Sequence, residues 1–149
     1  MILRPRLPLN LLVVHHSASL NTTTAREIGR WHALKWKFGI GYGHVIEADG
    51  YPVTGRRLQR VPAANRGWNR QSITVCVVGD NTRSEPGYMW NGAQEAQLDN
   101  LIRFYTTWLP GLMVCGHRDL PGAATECPGI SMEKWCAGRG LDVQIFGGT

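Results

Sequence analysis

The chain has 149 residues, 43% of them apolar and 18% charged, with a formal net charge of +5. That length and balance describe one ordinary soluble globular domain over residues 1–149, large enough to bury a core without disulfides or a structural metal. No tandem period, low-complexity tract or apolar run of about 18 residues is present, which excludes a repeat protein and a membrane-spanning helix.

Met1 to Leu12 carries two arginines and is broken by two prolines. It meets no small-residue cleavage site before His15-His16, so it is not read as a signal peptide. Leu11 to Val14 is a short apolar run, expected to be a buried strand. It delivers His15-His16-Ser17-Ala18-Ser19 at its C-terminal end, where α/β sheets commonly build their sites. Strand side chains alternate, so one of the two histidines is expected to point into a site and the other away.

Thr24 and Glu27 have the spacing of a capping box. A helix is predicted from about Ala25 to Lys35, with Ile28, Trp31 and Leu34 turned inward and His32 on its surface or in packing. Phe38 to Ile46 is a glycine-broken approach to a strand, and Asp49-Gly50 is a hairpin turn signal. Tyr42 to Glu47 is therefore expected to pair antiparallel with Tyr51 to Gly55. Gly41 and Gly43 do not make a nucleotide loop, because a third glycine and a following helix are missing.

Residues 56–71 read as a loop rich in Arg, Asn and Gly. Trp68 within it is read as a packing residue, with sugar stacking as the alternative. Ser72 to Val78 is β-branched and nearly all apolar, which predicts a strand at the sheet centre covered on both faces. Ala93 to Leu109 is the long helix, with Leu98, Leu101, Ile102, Tyr105 and Leu109 at steps of three and four. Pro110-Gly111 ends it, and Leu112 to Cys115 is another strand. Ser131 caps a last short helix with Met132 and Trp135 inward, and the tail after Gly138 is expected to be loosely held. Strands and helices alternate, with one hairpin. This predicts an α/β class: a central mixed sheet of about five strands flanked by three main helices.

Cys76 and Cys115 lie in apolar strand-like runs and are read as buried reduced thiols rather than disulfide partners. The net positive charge suits an anionic polymer, either nucleic acid or an acid-bearing cell wall. No recognition helix or stacking platform supports nucleic acid.

Chemistry concentrates in Val114-Cys115-Gly116-His117-Arg118-Asp119 and the Pro/Gly loop that leads to Cys127-Pro128-Gly129. Zinc takes nitrogen and sulfur donors, and a catalytic site uses three protein ligands and keeps one place open. His15 or His16, together with His117 and Cys127, supplies such a set. The same spacing also fits a hydrogen-bonded loop histidine and a buried thiol. A Cys/His hydrolase with a thiolate nucleophile would use these residues without metal, and a chelator separates the two.

Five ordered segments carry a resemblance. They are Val14 to Ser19; Ile28-Gly29-Arg30-Trp31-His32; Ile40-Gly41-Tyr42 with Asp49-Gly50; Gly67-Trp68-Asn69 with Ser72 to Gly79; and Gly116 to Asp119 with Cys127-Pro128-Gly129. The chain resembles the phage-type N-acetylmuramoyl-L-alanine amidases, the zinc amidase family that includes the peptidoglycan recognition proteins. The resemblance implies that fold. It implies His15, His117 and Cys127 as zinc ligands, with His16 pointing elsewhere. Tyr42 and Thr125 are the implied catalytic residues: Tyr42 beside the attacking water or the oxyanion, Thr125 where phage relatives carry a lysine. Cys76 stands where some relatives have a glutamate, and Ala64 where a histidine is common.

The implied reaction is zinc-dependent hydrolysis of the amide between N-acetylmuramic acid and L-alanine in peptidoglycan. The implied protein is a monomeric endolysin with no nucleic-acid partner. It would be made in the host cytoplasm and act on the cell wall after release. The alternative is a non-catalytic peptidoglycan-binding module of the same fold. Binding-only relatives typically lack the cysteine ligand, whereas Cys127 is present.

Overall fold

The two most apolar runs of the chain lie side by side. In the computed structural model, which describes residues 6–147, strand β1 (Leu11–His16) pairs in parallel with β4 (Ser72–Val77), and every residue of both is buried. The expectation of one domain over 1–149 and the reading of the N-terminal stretch both extend outside the described residues.

Strands β2 (His44–Ile46), β3 (Pro52–Thr54), β5 (Met113–Gly116) and β6 (Gln144–Ile145) complete a six-stranded sheet of order β3-β2-β4-β1-β5-β6. Only β2 and β3, joined through Asp49-Gly50, are antiparallel. The expected hairpin is present, and β4 lies at the sheet centre as expected, beside β1. All four cysteines are buried and unpaired, in line with the reading of Cys76 and Cys115.

Helix α2 (Gly92–Trp108) covers one face of the sheet. Its Leu98, Ile102 and Tyr105 pack with Leu12, Val14, Ile73, Val75 and Val114. Burying each such side chain contributes about 1.5–3 kcal/mol. Asn91 and Gln94 form a capping box at its start. Gln94, fully buried, donates its amide to Val78 O at 2.7 Å, which satisfies a carbonyl just past β4. The short helix α3 (Met132–Gly138) starts at the predicted cap Ser131 and buries Met132 and Cys136. Arg139 at its end reaches Asp99 of α2 at 2.9 Å.

Helix α1 (Ala25–Trp36) lies on the other face and opens with the predicted Thr24/Glu27 capping box. Here the structure corrects one expectation. Only Ala25 and Ile28 of this helix are buried, against Val45, Cys76 and Val78. Trp31 is 47% exposed and Leu34 84% exposed. The helix docks by its first turns, and beneath it β2 and β3 are only three residues each. The covered face runs on from Ile28 to Gly29 and His32, and Trp31 and Leu34 lie to its solvent side.

A second correction concerns the C-terminal tail, which is held. Leu141, Val143 and Ile145 alternate into the core, β6 pairs in parallel with β5, and Phe146 packs its ring on Trp68 at 5.5 Å. Among the described residues no helix is long and apolar enough to cross a membrane.

Candidate active site

β1, β4 and β5 run in parallel, so their C-terminal ends meet at one rim of the sheet. An open groove of about 690 Å³ lies there. His15 is the fifth residue of β1, in register with Cys76, and its ring is 1% exposed. His117 opens a single 3-10 turn directly after β5. That turn is held by Asp119, whose carboxylate accepts from Gly116 N at 2.8 Å. Asp119 of the Gly-His-Arg-Asp run is thus a local cap.

Cys127 arrives on the loop that follows. Its carbonyl accepts from Arg118 N at 2.8 Å, and its Sγ accepts from His16 N at 3.3 Å. The Cys127–Pro128 peptide is cis. A side chain at Gly116 would collide with the Pro128 ring, so the bare glycine lets this loop lie against β5.

One ligand atom each from His15, His117 and Cys127 lie within 4.8 Å of one another. The His15 and His117 rings are 4.7 Å apart, and His15 Nδ1 faces Cys127 Sγ at 3.7 Å. Burial, with the His117 charge adding to it, pushes the His15 pKa down to about 3; the Asn65 hydrogen bond opposes this. Burial and then His16 lower that of His117. Both imidazoles are therefore neutral at pH 7, with lone pairs to offer. Burial raises the Cys127 thiol to about 12. A cation among these three atoms would favour its thiolate.

Tyr42 reaches the site from the extended segment that leads into β2. Its ring lies 5.1 Å from that of His15. Burial, the nearby Cys76 and Cys127, and a hydrogen bond with the Cys76 thiol raise its pKa well above the usual value. It is a donor at neutral pH. Gly41 just before it abuts Ala63 O so closely that no side chain fits, and this presses loop 56–71 onto the Tyr42 segment. Thr125 is exposed at the groove, and its Oγ1 accepts from Cys127 N at 3.1 Å.

The other histidines lie outside the His15, His117 and Cys127 cluster. His16 turns to Asp80, with Nδ1 and Oδ1 3.6 Å apart. His44 lies on the α2 face and bonds Tyr105 through Nε2. His32 is in packing, its Nδ1 accepting from Gly41 N at 2.9 Å and its ring against Trp36 and Tyr42. Trp68 packs on Phe146 and donates to Pro121 O at 3.1 Å, so the packing reading holds. Trp36 and Phe38, stacked 6.3 Å apart, line the groove instead.

Two buried polar residues escaped sequence reasoning. Asn65 is fully buried, and its Oδ1 meets His15 Nε2 at 2.6 Å. Asp80, 9% exposed, faces His16. Asn65 stands in an unpatterned loop 50 positions from its partner, so no local signal marks it.

Comparison with known proteins adds to this geometry. The profile of the family described as N-acetylmuramoyl-L-alanine amidase matches residues 5–130. The endolysin of Klebsiella phage KP32 is 29% identical over 127 residues, 83% of this chain and 83% of that protein. The N-acetylmuramoyl-L-alanine amidase of Mus musculus is 35% identical over 139 residues, 85% of this chain but 26% of that protein. Among solved structures, the N-acetylmuramoyl-L-alanine amidase LysC from Clostridium intestinale URNW superposes with a TM-score of 0.76 at 26% identity, covering 90% of this chain and 87% of that one.

Proposed function

The chain belongs to the N-acetylmuramoyl-L-alanine amidase family, and we propose that it carries out that hydrolysis with a zinc ion held by His15, His117 and Cys127. It is a peptidoglycan-degrading hydrolase of the endolysin type, and it cleaves the amide between N-acetylmuramic acid and L-alanine. Its substrate is the muramyl peptide and its place of action the cell wall.

The observation that carries the metal reading is the convergence of two neutral imidazole nitrogens and one sulfur within 4.8 Å. Two nitrogens and a thiolate fit the donor preference of zinc and leave a fourth position for the reaction. When bound there, zinc supplies Lewis-acid polarisation of the amide carbonyl and acidifies water.

The chain's own groups do the rest. Tyr42, held protonated, donates a hydrogen bond to the oxygen that gains charge during attack. The raised pKa makes it a poor base. Thr125 uses a lone pair to fix the Cys127 backbone, which leaves its hydroxyl proton for the substrate. Trp36 and Phe38 give the groove an apolar wall for the sugar and peptide, and Arg66 on its lining attracts acidic groups of the stem.

The test is a metal assay combined with digestion of purified peptidoglycan. We expect about one zinc per chain, loss of activity on chelation, and products with free lactyl carboxyls and new L-alanine amino termini. New reducing sugar ends instead would mean a glycosidase and overturn the reading.

A further inference from the structure

We propose that Asn65 is the positioning residue of the metal centre: its side-chain oxygen holds the proton of His15 on Nε2 and turns Nδ1 toward Cys127. This rests on the zinc reading above and names what that site needs from outside its ligand set.

The argument starts from the imidazole. A neutral ring has one N–H and one lone pair, and only the lone pair can coordinate. His15 Nε2 lies 2.6 Å from Asn65 Oδ1, an acceptor, so Nε2 carries the proton. The lone pair is then on Nδ1, the atom 3.7 Å from Cys127 Sγ. Turning the carboxamide over would put its NH₂ against Nε2 and force the proton onto Nδ1. A hydrogen would then point at Cys127, where a cation has to sit.

Asn65 is itself anchored. Its backbone N–H donates to Asn69 Oδ1 at 2.7 Å, and Ala64 N donates to the same oxygen at 3.0 Å. Its carbonyl accepts from Trp68 N at 2.8 Å. Asn65 is fully buried, and its Nδ2 has no hydrogen-bond partner among the described residues. A buried amide left with an unused donor is costly, and such a group is retained where its other half has work to do. A partner on the far nitrogen of a ligating histidine fixes both tautomer and ring plane, and losing it typically weakens metal binding by about 10–100-fold. A carboxamide does this without adding negative charge to a pocket that already receives a thiolate.

The experiment uses the full chain and zinc itself. First, long-range 15N–1H spectra of histidine-labelled, metal-free protein report the His15 tautomer directly. We expect a proton on Nε2, and one on Nδ1 overturns the proposal. Second, zinc affinity is measured by competition with a chromogenic chelator for the parent, Asn65→Ala and Asn65→Asp. We expect Asn65→Ala to bind about 10–100-fold more weakly and Asn65→Asp, which keeps the accepting oxygen, to stay within a few-fold of the parent. Cobalt-substituted spectra should shift in Asn65→Ala alone. Equal affinities with zinc bound by all three proteins overturn this inference and leave the zinc reading standing. A parent protein that binds no zinc removes both. Should Asn65→Ala not fold, the tautomer in the parent protein and the Asn65→Asp affinity still decide the matter.

Discussion

The Tyr42 ring lies 5.1 Å from the ring of His15, and burial beside Cys76 and Cys127 keeps its hydroxyl protonated. A phenol so placed acts by donating. Tyr42→Phe should therefore keep its zinc and lower kcat by about 10²–10³-fold, the effect of removing one oxyanion donor. Metal content and steady-state kinetics on the same preparation check this. Undiminished turnover would remove Tyr42 from the chemistry.

The three proposed ligands come from β1, the turn after β5 and a later loop, so a metal bound by them is bound only by the folded chain. Free zinc at 100 times its Kd should stabilise the protein by about 2.7 kcal/mol. Calorimetry with zinc and with chelator measures the shift in Tm. Cys127→Ser should abolish most of it along with activity. If chelation changes neither Tm nor turnover, the site works without metal and the thiolate-nucleophile reading takes its place.

Helix α1 presents a sharp contrast between Ile28, 2% exposed, and Leu34, 84% exposed. Ile28→Ala should cost about 2–4 kcal/mol in urea unfolding through lost packing and a residual cavity. Leu34→Ala should fall within about 0.5 kcal/mol of the parent. Similar losses for both would show that the second half of the helix is covered after all.

Asp99 ties α2 to the end of α3. Burial alone would raise its pKa, but hydrogen bonds from Arg103 and Arg139 outweigh that and lower it. A carboxylate with a depressed folded pKa contributes stability that is full above its unfolded value and lost as pH falls through the folded one. The loss therefore occurs below about pH 4. Asp99→Asn should cost about 1 kcal/mol at pH 7 and lose less on acidification. Stability curves from pH 7 to pH 2 that run parallel for the two proteins would contradict the assignment.

The sheet centre and two of the proposed ligands were legible because their signals are local. Ser72 to Val77 is β-branched and apolar, and His117 and Cys127 stand beside glycines and prolines that mark where strands end. What stayed hidden depends on distant partners. Helical spacing grouped Trp31 and Leu34 with Ile28, but the side that meets the sheet continues through Gly29 and His32, which apolar periodicity does not mark. The period-two run Leu141, Val143 and Ile145 is broken up by polar neighbours, and its strand is only two residues long. Asn65 is defined by a hydrogen bond spanning 50 positions, which no window along the chain contains.

β1 is the first strand to be made, yet its two neighbours are β4 and β5. Roughly 100 residues separate its end from the end of β5, about 5–20 s of synthesis at 5–20 residues per second. Until β4 follows, Leu11–Val14 is an uncharged, proline-free segment with neither edge paired, and its second edge waits for β5. The lytic centre cannot assemble before Cys127 has left the ribosome. A chain released before Cys127 would lack one of the three proposed ligands, whatever else of the sheet it had formed.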